Sequence, residues 1–184
     1  MGKKKSTTTR KPRTRVSVKT QPEPKWKKFV KIVICIAIPL IVGGVSAALA
    51  GDSMSKFGEF NQPPLSPPAW LFPVAWTILY VLMGLASYLI MAKKPANQKD
   101  KKVRNTALIV YAIQLIFNFG WSLIFFLAGQ FWIAFAWLMV MWAMIIALMV
   151  LAAKRSRGAV WCLAPYLFWC TFAAYLNIGI AILN

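Results

Sequence analysis

Several functional groups are scarce or missing in this chain. It contains no histidine, three cysteines and four acidic residues. Without histidine, no His-ligated haem or His-containing zinc site can form. Cys162 and Cys170 stand eight positions apart on one apolar stretch, which is about 12 Å along a helix and too far for a disulfide. We therefore interpret the cysteines, including Cys35, as small buried hydrophobic residues.

The shortage of acids also limits the chemistry that is available. Asp52 and Glu59 lie near a proline-rich loop, and the other two acids lie among basic residues. No Asp, Glu, Lys or Arg occupies the middle of a long apolar run. Hydrolysis by paired acids deep in the protein is therefore excluded. The usual signature of proton relays and voltage sensors, a charge within a span, is absent as well.

Long apolar runs are what the chain has in abundance. Apolar residues make up 59% of the 184 residues, and the mean hydropathy is +0.60. Each of five runs has roughly 20 to 25 residues, enough to cross a hydrocarbon layer of about 30 Å. The sequence therefore predicts an all-α membrane protein, a bundle of five transmembrane helices forming one domain over residues 29–184. The predicted spans cover residues 29–50, 70–92, 105–128, 131–153 and 159–183.

The basic residues predict the topology of this bundle. Of 22 Lys and Arg, 21 lie in the N-terminal segment and in two connections, around residues 93–104 and 154–157, which alternate along the chain. Cationic connections stay in the cytoplasm, so the N-terminus is predicted inside and the C-terminus outside. Residues 1–28 are predicted to be a disordered cytoplasmic tail that binds anionic lipid. The net charge of +18 is thus assigned to topology, and no nucleic-acid partner is expected.

A proline-rich stretch leads into the second span. Residues 57–80 read FGEFNQPPLSPPAWLFPVAWTILY. Because proline fixes φ and disfavours helix at the preceding residue, the loop half is predicted to be a stiff, extended lid on the outer side. Pro73 fits the first turn of the helix that follows. Trp70 and Trp76 stand at this junction, where they suit either a flat apolar guest or the anchoring of a helix at the membrane interface.

Amide and aromatic side chains recur at helical spacing on three spans. Gln114, Asn118 and Trp121 are spaced i, i+4 and i+7, so they share one face of the third span. Two readings stay open: amides in a bilayer often bond helices to one another, and they also orient ligands in apolar pockets. The other two stripes are Trp70, Pro73, Thr77, Tyr80 and Gly84 on the second span, and Pro165, Trp169, Phe172, Ala173 and Leu176 on the fifth, with Asn177 at its edge.

Three ordered motifs carry a resemblance to a known family. They are PPLSPPAWLFPVAWTILYVLMGLASYL at residues 63–89, QLIFNFGWSLIFF at 114–126 and APYLFWCTFAAYLN at 164–177. With the five spans, they resemble the translocator protein family, also called tryptophan-rich sensory proteins or the TspO/MBR family. The chain is similar to bacterial members over everything after about residue 28. The resemblance implies a multi-pass protein of the plasma membrane, in a bacterium the inner membrane.

The resemblance also implies a ligand and a site. Family members bind flat tetrapyrroles such as protoporphyrin IX in an apolar pocket beneath the first loop, need no obligatory cofactor and often form homodimers. Trp70 and Trp169 match two tryptophans implicated in light-dependent porphyrin breakdown. The expected ligand-binding residues are Trp70, Tyr80, Gln114, Asn118, Trp121, Trp169, Phe172, Ala173 and Leu176.

Three functions remain open on these grounds. The first is a porphyrin-binding receptor or sensor. The second is photo-oxidative degradation of bound porphyrin through Trp70 or Trp169, and the third is transport of a tetrapyrrole or sterol. Two departures from the animal pattern bear on the choice. No Lys or Arg follows Arg157, so the cholesterol-recognition pattern is missing, and Ile133 stands beside Trp132 where animal members have a pocket tryptophan.

Overall fold

The computed structural model describes residues 24–184, apart from the side chains of residue 52 and residues 54–56. Five helices in this part are long and apolar enough to cross a membrane, and the described residues contain no strand. The predicted five-helix membrane bundle is confirmed. The helices are Lys25–Ala50 (α1), Leu71–Ala92 (α2), Gln98–Ser122 (α3), Phe131–Ala153 (α4) and Arg157–Leu183 (α5).

Two helices begin a full turn or more before the apolar runs predict, and α5 begins two residues early, at Arg157. α1 begins at Lys25 rather than at residue 29, and α3 begins at Gln98 rather than at 105. The Asn97 side chain caps α3 by accepting a hydrogen bond from the Asp100 amide at 2.9 Å, which lets polar turns precede the apolar ones. Residues 1–23 of the predicted tail lie outside the described residues, so the tail stays a prediction.

The helices form a ring. α1 packs against α2 and α3, α2 also packs against α5, and α4 lies between α3 and α5. The ring is filled by large apolar side chains and one tyrosine, none of which is exposed to solvent. They include Met83, Leu138, Met141, Leu163 and Tyr166.

A glycine allows α1 and α2 to approach closely. A Cβ on Gly84 would lie 2.5 Å from Ile36 Cα and 2.6 Å from the carbonyl oxygen of Cys35. In a regular helix, the amide at position 39 would donate a hydrogen bond to this carbonyl. Pro39, buried inside α1, has no amide hydrogen, so that bond is missing. Because Gly84 has no side chain, α2 packs directly on the backbone of α1, at the turn where α1 lacks one main-chain hydrogen bond.

One end of the bundle, here called the basic end, carries the connections α2–α3 and α4–α5. The buried Arg155 side chain forms an ion pair with Asp100 at 2.5 Å. It also donates to the carbonyl oxygens of Ile90, at 3.4 Å, and Lys93. Asp100 precedes the apolar part of α3, and its hydrogen bond with Arg155 lowers the pKa of its carboxyl group. One guanidinium thus joins the ends of three helices.

The opposite end, here called the first-loop end, carries residues 51–70 as the first loop. Its first nine residues, Gly51–Glu59, form a 3₁₀ helix, so the predicted extended lid was wrong for residues 57–59. The reason is that no proline of this loop stands before Pro63. The later residues form no helix, but they turn at residues 64–65, where Leu65 has a φ of +67°. Asn61 and Asn184 exchange two hydrogen bonds of 3.0 Å, which fasten the loop to the end of α5.

The chain leaves α3 through a π-helical segment, Leu123–Leu127. Its widened turn is closed by the Ala128 amide, which donates to the Leu123 carbonyl oxygen at 2.9 Å. Two consecutive phenylalanines, Phe125 and Phe126, are both buried. Such segments are rare and recur at functional sites.

Candidate functional site

A cavity lies between α1, α2 and α3 in the half of the bundle near the first-loop end. Its volume is about 210 Å³. One wall consists of small residues of α1, and the opposite walls carry aromatic rings and polar groups of α2 and α3. The lining comprises Leu40, Gly43, Gly44, Ser46, Ala47, Pro73, Trp76, Thr77, Tyr80, Asn118, Trp121, Ser122 and Phe126.

A chain of hydrogen bonds runs from this cavity into the core. Tyr80 donates its hydroxyl to Asn118 Oδ1 at 2.7 Å, and Asn118 Nδ2 donates to the hydroxyl of Tyr166 at 3.2 Å. Gln114 Nε2 donates to the same Tyr166 hydroxyl. Because their partners hold these groups in place, Tyr80 and Asn118 present a fixed polar edge to the cavity.

A second polar group lies on the α1 side. The hydroxyls of Ser46 and Ser122 are hydrogen-bonded to each other, and both lie within reach of the Phe119 carbonyl oxygen, at 3.1 and 3.3 Å. These bonds link α1 to α3 without a charge. The cavity therefore offers hydroxyl and amide groups but no ionised side chain among its lining residues.

Trp121 forms the wall between this cavity and a second space. Its ring stacks on Phe125, with centroids 5.3 Å apart, and meets Phe126 edge to face at 6.0 Å. Its indole nitrogen donates to Asn177 Oδ1 at 3.2 Å, and Asn177 Nδ2 donates to the Phe131 carbonyl oxygen at 2.8 Å. The indole is thus held by α5 on one side and by the π-helical segment on the other.

The second space lies beneath the first loop, between α2, α3 and α5. Only about 10 Å³ of it is empty, roughly the least volume that can hold one water molecule. It shares Trp121 and Phe126 with the larger cavity. The other lining residues are Phe57, Phe72, Phe125, Ala173, Leu176 and Asn177.

The structure divides the residues predicted for ligand binding into three groups. Tyr80, Asn118 and Trp121 line the larger cavity. Ala173 and Leu176 line the small space, with Trp121 again as a shared wall. Gln114 is buried behind the larger cavity, hydrogen-bonded to Tyr166. Their contact with a ligand stays a prediction.

Trp70, Trp169 and Phe172 line neither space. Trp70 precedes α2 and is 65% exposed. Trp169 packs edge to face on Phe72 at 6.0 Å and against Phe172 at 5.8 Å, and its indole nitrogen is buried without a hydrogen-bond partner. The three stripes predicted to line one cavity therefore do not meet in one here, because Phe72 and the first loop fill the space in front of the fifth-span stripe.

The contribution of α1 to the cavity was not predicted. The cavity is lined by Leu40, Gly43, Gly44, Ser46 and Ala47, which contain no aromatic or amide group that would indicate a site. The available signal was the small size of the four residues other than Leu40, which equally predicts close helix packing. Trp76 was noted at the junction of loop and helix but was not among the expected ligand-binding residues. It lines the cavity and stacks on Tyr80 at 5.6 Å.

Sequence comparisons give the family of the chain. The TspO/MBR family model matches residues 35–183, a range that includes every lining residue named above. The chain belongs to the TspO/MBR family. Among the side chains that the structure of this family member describes, no group of three or more His, Cys, Asp or Glu could hold a metal ion.

Relatives from distant organisms cover most of this TspO/MBR chain. The Tryptophan-rich protein TspO of Chlorobaculum tepidum is 34% identical over 164 residues, covering 86% of this chain and 98% of its own. The Tryptophan-rich sensory protein of Cereibacter sphaeroides is 34% identical over 159 residues, covering 86% and 92%. The Translocator protein of Ovis aries is 35% identical over 129 residues, covering 70% and 75%. The resemblance noted in the motifs is confirmed.

Proposed function

We propose that this TspO/MBR protein is a membrane receptor for flat apolar ligands of the porphyrin class, with protoporphyrin IX as the representative ligand. The observation that carries the proposal is the position of Trp121. Its indole separates a cavity that already exists from a closely packed aromatic space, and five of the predicted binding residues line one or the other. Joined, the two spaces would form one site beneath the first loop.

The size of the cavity sets a condition on binding. Pockets for drug-sized ligands usually measure about 300–1,000 Å³, and the cavity beside α1 measures about 210 Å³. A tetrapyrrole therefore needs space that the ligand-free protein fills with its own rings. Trp121 and Phe126 are the residues common to both spaces, so a shift of these two rings is the shortest route to a larger site.

The chemistry of the walls suits a planar macrocycle. Offset or edge-to-face aromatic pairs contribute roughly 0.5–1.5 kcal/mol beyond the burial of their surface, and Trp76, Tyr80 and Trp121 lie at one wall. The protein offers fewer hydrogen-bond donors to the acidic substituents of a porphyrin. Asn61 donates to the Leu183 carbonyl oxygen at 3.3 Å, and Gln62 donates to the Phe57 carbonyl oxygen at 2.6 Å, so both of these first-loop amides are already bonded within the chain. We therefore expect broad binding of moderate affinity.

The names of the relatives leave the biological role open between sensing and translocation. A sensor needs only binding, which the walls support directly. A coupled transporter usually carries a charged group within its spans, and the lining residues contain none. We therefore place the receptor role first, in the plasma membrane with the N-terminus in the cytoplasm. Sterol or tetrapyrrole transport is the alternative.

Titration of protoporphyrin IX into the purified protein in detergent tests the proposal. Quenching of tryptophan fluorescence and the porphyrin absorbance band report saturation. We expect the Trp121→Leu variant to raise Kd about tenfold, the equivalent of about 1.4 kcal/mol, because it removes the shared aromatic wall. Trp161→Leu is the matched control, since Trp161 is 76% exposed on the outside of α5. Equal affinity of the two variants, or no saturable binding by the wild type, would refute the site.

The same samples measure the alternative of photo-oxidative degradation. After saturation they are illuminated in air while the porphyrin band is recorded. Because Trp70 and Trp169 line neither space, we expect the Trp70→Phe, Trp169→Phe double variant to bind porphyrin and bleach it at the wild-type rate. Bleaching that is lost in this variant while binding persists would favour degradation over the receptor role.

A further inference from the structure

Phe57 is buried although it belongs to the first loop. Its side chain is 2% exposed, whereas the residues that follow it, Gly58 and Glu59, are exposed. The ring meets Phe72 of α2 edge to face, with centroids 4.7 Å apart, and faces Phe126 of the π-helical segment at 6.3 Å. A loop residue is therefore packed inside the ring of helices.

The space that Phe57 enters is the small one beneath the first loop. Ala173 and Leu176 of α5 line it together with the Phe57 ring. Its single amide, Asn177, has both ends hydrogen-bonded. With Phe57 in place only about 10 Å³ is empty. An aromatic ring supplied by the chain itself thus fills an apolar site that a ring from outside would also fit.

The contacts that fasten the loop leave the Phe57 side chain free of polar bonds: at Phe57 the backbone carbonyl oxygen accepts from Gln62 Nε2 at 2.6 Å, and the other contacts lie after it. Tyr175 donates its hydroxyl to the Pro64 carbonyl oxygen at 2.7 Å, and a Cβ on Gly179 would lie 2.6 Å from the Pro63 ring. With the Asn61–Asn184 bonds, these contacts hold residues 61–64 against α5. Before Phe57 the chain turns at Gly51, whose φ of +47° favours glycine. The Phe57 ring can therefore leave its site while residues 61–64 stay in place.

We propose that Phe57 is an internal occupant of the binding site, which the ring system of a ligand must displace. This inference rests on the proposed function, because it concerns how that site is opened. The ring holds the space between α2, α3 and α5 closed when no ligand is bound. A ligand then competes with Phe57 for the site. The apparent Kd of the ligand is the intrinsic Kd divided by the fraction of molecules in which the Phe57 ring has left the site.

Removal of the ring is the first test. We expect Phe57→Ala to lower the Kd for protoporphyrin IX at least fivefold. Phe60→Ala is the matched control, because Phe60 lies on the same loop and packs on Phe131 at 5.1 Å without lining either space; its Kd is expected to stay within twofold of the wild-type value. Unchanged or weaker porphyrin binding by Phe57→Ala, with wild-type binding intact, would overturn the proposal and leave the receptor function standing.

A small probe separates this inference from the porphyrin proposal. Engineered apolar cavities of about 150 Å³ bind benzene, so we expect indole or benzene to raise the thermal unfolding midpoint of Phe57→Ala saturably, but not that of the wild type or of Phe60→Ala. If no variant binds porphyrin and the probe still stabilises Phe57→Ala alone, the receptor function fails and the internal occupant stands. If the probe does not stabilise Phe57→Ala, the proposal that Phe57 occupies the site is overturned.

A labelled protein keeps the proposal testable if Phe57→Ala does not fold. A 4-fluorophenylalanine placed at position 57 reports the surroundings of the ring by ¹⁹F NMR. We expect saturating porphyrin to move its signal toward the solvent-exposed position, while the same label at position 60 stays unchanged. A position-57 signal that remains at its buried shift under saturating porphyrin would overturn the proposal.

Discussion

The two ends of the bundle are held together by different chemistry. At the basic end, one buried guanidinium binds Asp100 and the carbonyl oxygens of Ile90 and Lys93. At the first-loop end, rings and hydroxyl groups surround a cavity of about 210 Å³. Removing one partner of a buried ion pair is costly, which fixes the neighbours of the guanidinium. Aromatic rings, in contrast, can exchange one partner for another at small cost.

This difference assigns separate roles to the two halves. The close contact at Gly84 and the Arg155 cluster belong to the basic half and set the spacing of α1, α2 and α3. Because these contacts already position the helices, the first-loop half can contain a cavity. Variants that disturb the two halves should therefore differ in kind, with those at the basic end lowering stability and those at the other end changing binding.

The largest effect on stability is expected from Arg155→Ala. Each hydrogen bond to a charged group contributes roughly 1.5–3 kcal/mol, so we expect a loss of about 3 kcal/mol in unfolding free energy and a lower thermal midpoint in detergent. Arg157→Ala is the control, because Arg157 is exposed two residues away. If both variants unfolded at the wild-type temperature, the basic end would not be the rigid half.

A pair of glycine substitutions should give the next largest contrast. In Gly84→Ala the new Cβ meets the backbone of α1 at 2.5 Å, and in Gly43→Ala it meets the Tyr80 ring at 2.0 Å. Backbone cannot move aside, so we expect Gly84→Ala to cost about 1–3 kcal/mol. The Tyr80 ring can move into the cavity at the loss of its single hydrogen bond to Asn118, so Gly43→Ala should cost less stability and weaken porphyrin binding more.

Thermal midpoints and porphyrin titrations of the two glycine variants decide this. Gly44→Ala is a further control, because nothing lies within 4 Å of its new Cβ. Equal destabilisation by Gly84→Ala and Gly43→Ala would mean that the ring of Tyr80 is as firmly held as the backbone of α1. The proposed difference between the halves would then be lost.

The smallest expected effect is an acid dependence of the basic end. Arg155 lowers the pKa of Asp100 below its ordinary value, so the contribution of the pair is present above that ordinary value and is lost as the pH falls through the lowered pKa. We expect the thermal midpoint to fall in this acidic range for the wild type, and less so for Asp100→Asn. Parallel curves for the two proteins would exclude the ion pair as the source.

The sequence predicted the helices well because a membrane demands long apolar runs. Positions on α3 were also predictable, since Asn118 and Trp121 share a face by their spacing and both line the cavity. Which other faces they meet was not predictable. Helices α4 and α5 are apolar all round, so periodicity does not indicate their neighbours. The order of the helices around the ring decides which of them line the cavity. It places α1 at the cavity and leaves Trp70 and Trp169 outside its lining.

Arg155 and Phe57 show a second limit. Among the basic residues that the structure describes, nothing in the local pattern marks Arg155 as the one whose side chain is buried. Phe57 likewise stands in a polar loop and would be read as exposed. In both cases a neighbour distant in sequence decides the burial: Asp100 for the arginine, and Phe72 with Phe126 for the phenylalanine.

The widened turn at Leu123–Leu127 is a position at which the chain can lose one residue during evolution. A π-helical turn holds one residue more than an α-helical turn, so deleting a single codon here would restore a regular helix without breaking the chain on either side. Because the widened turn absorbs the additional residue, the helix on either side would keep its facing, and only the residues within the turn would shift. One such event would change the positions of Phe125 and Phe126 relative to Trp121 and give a descendant a differently shaped site on the same bundle.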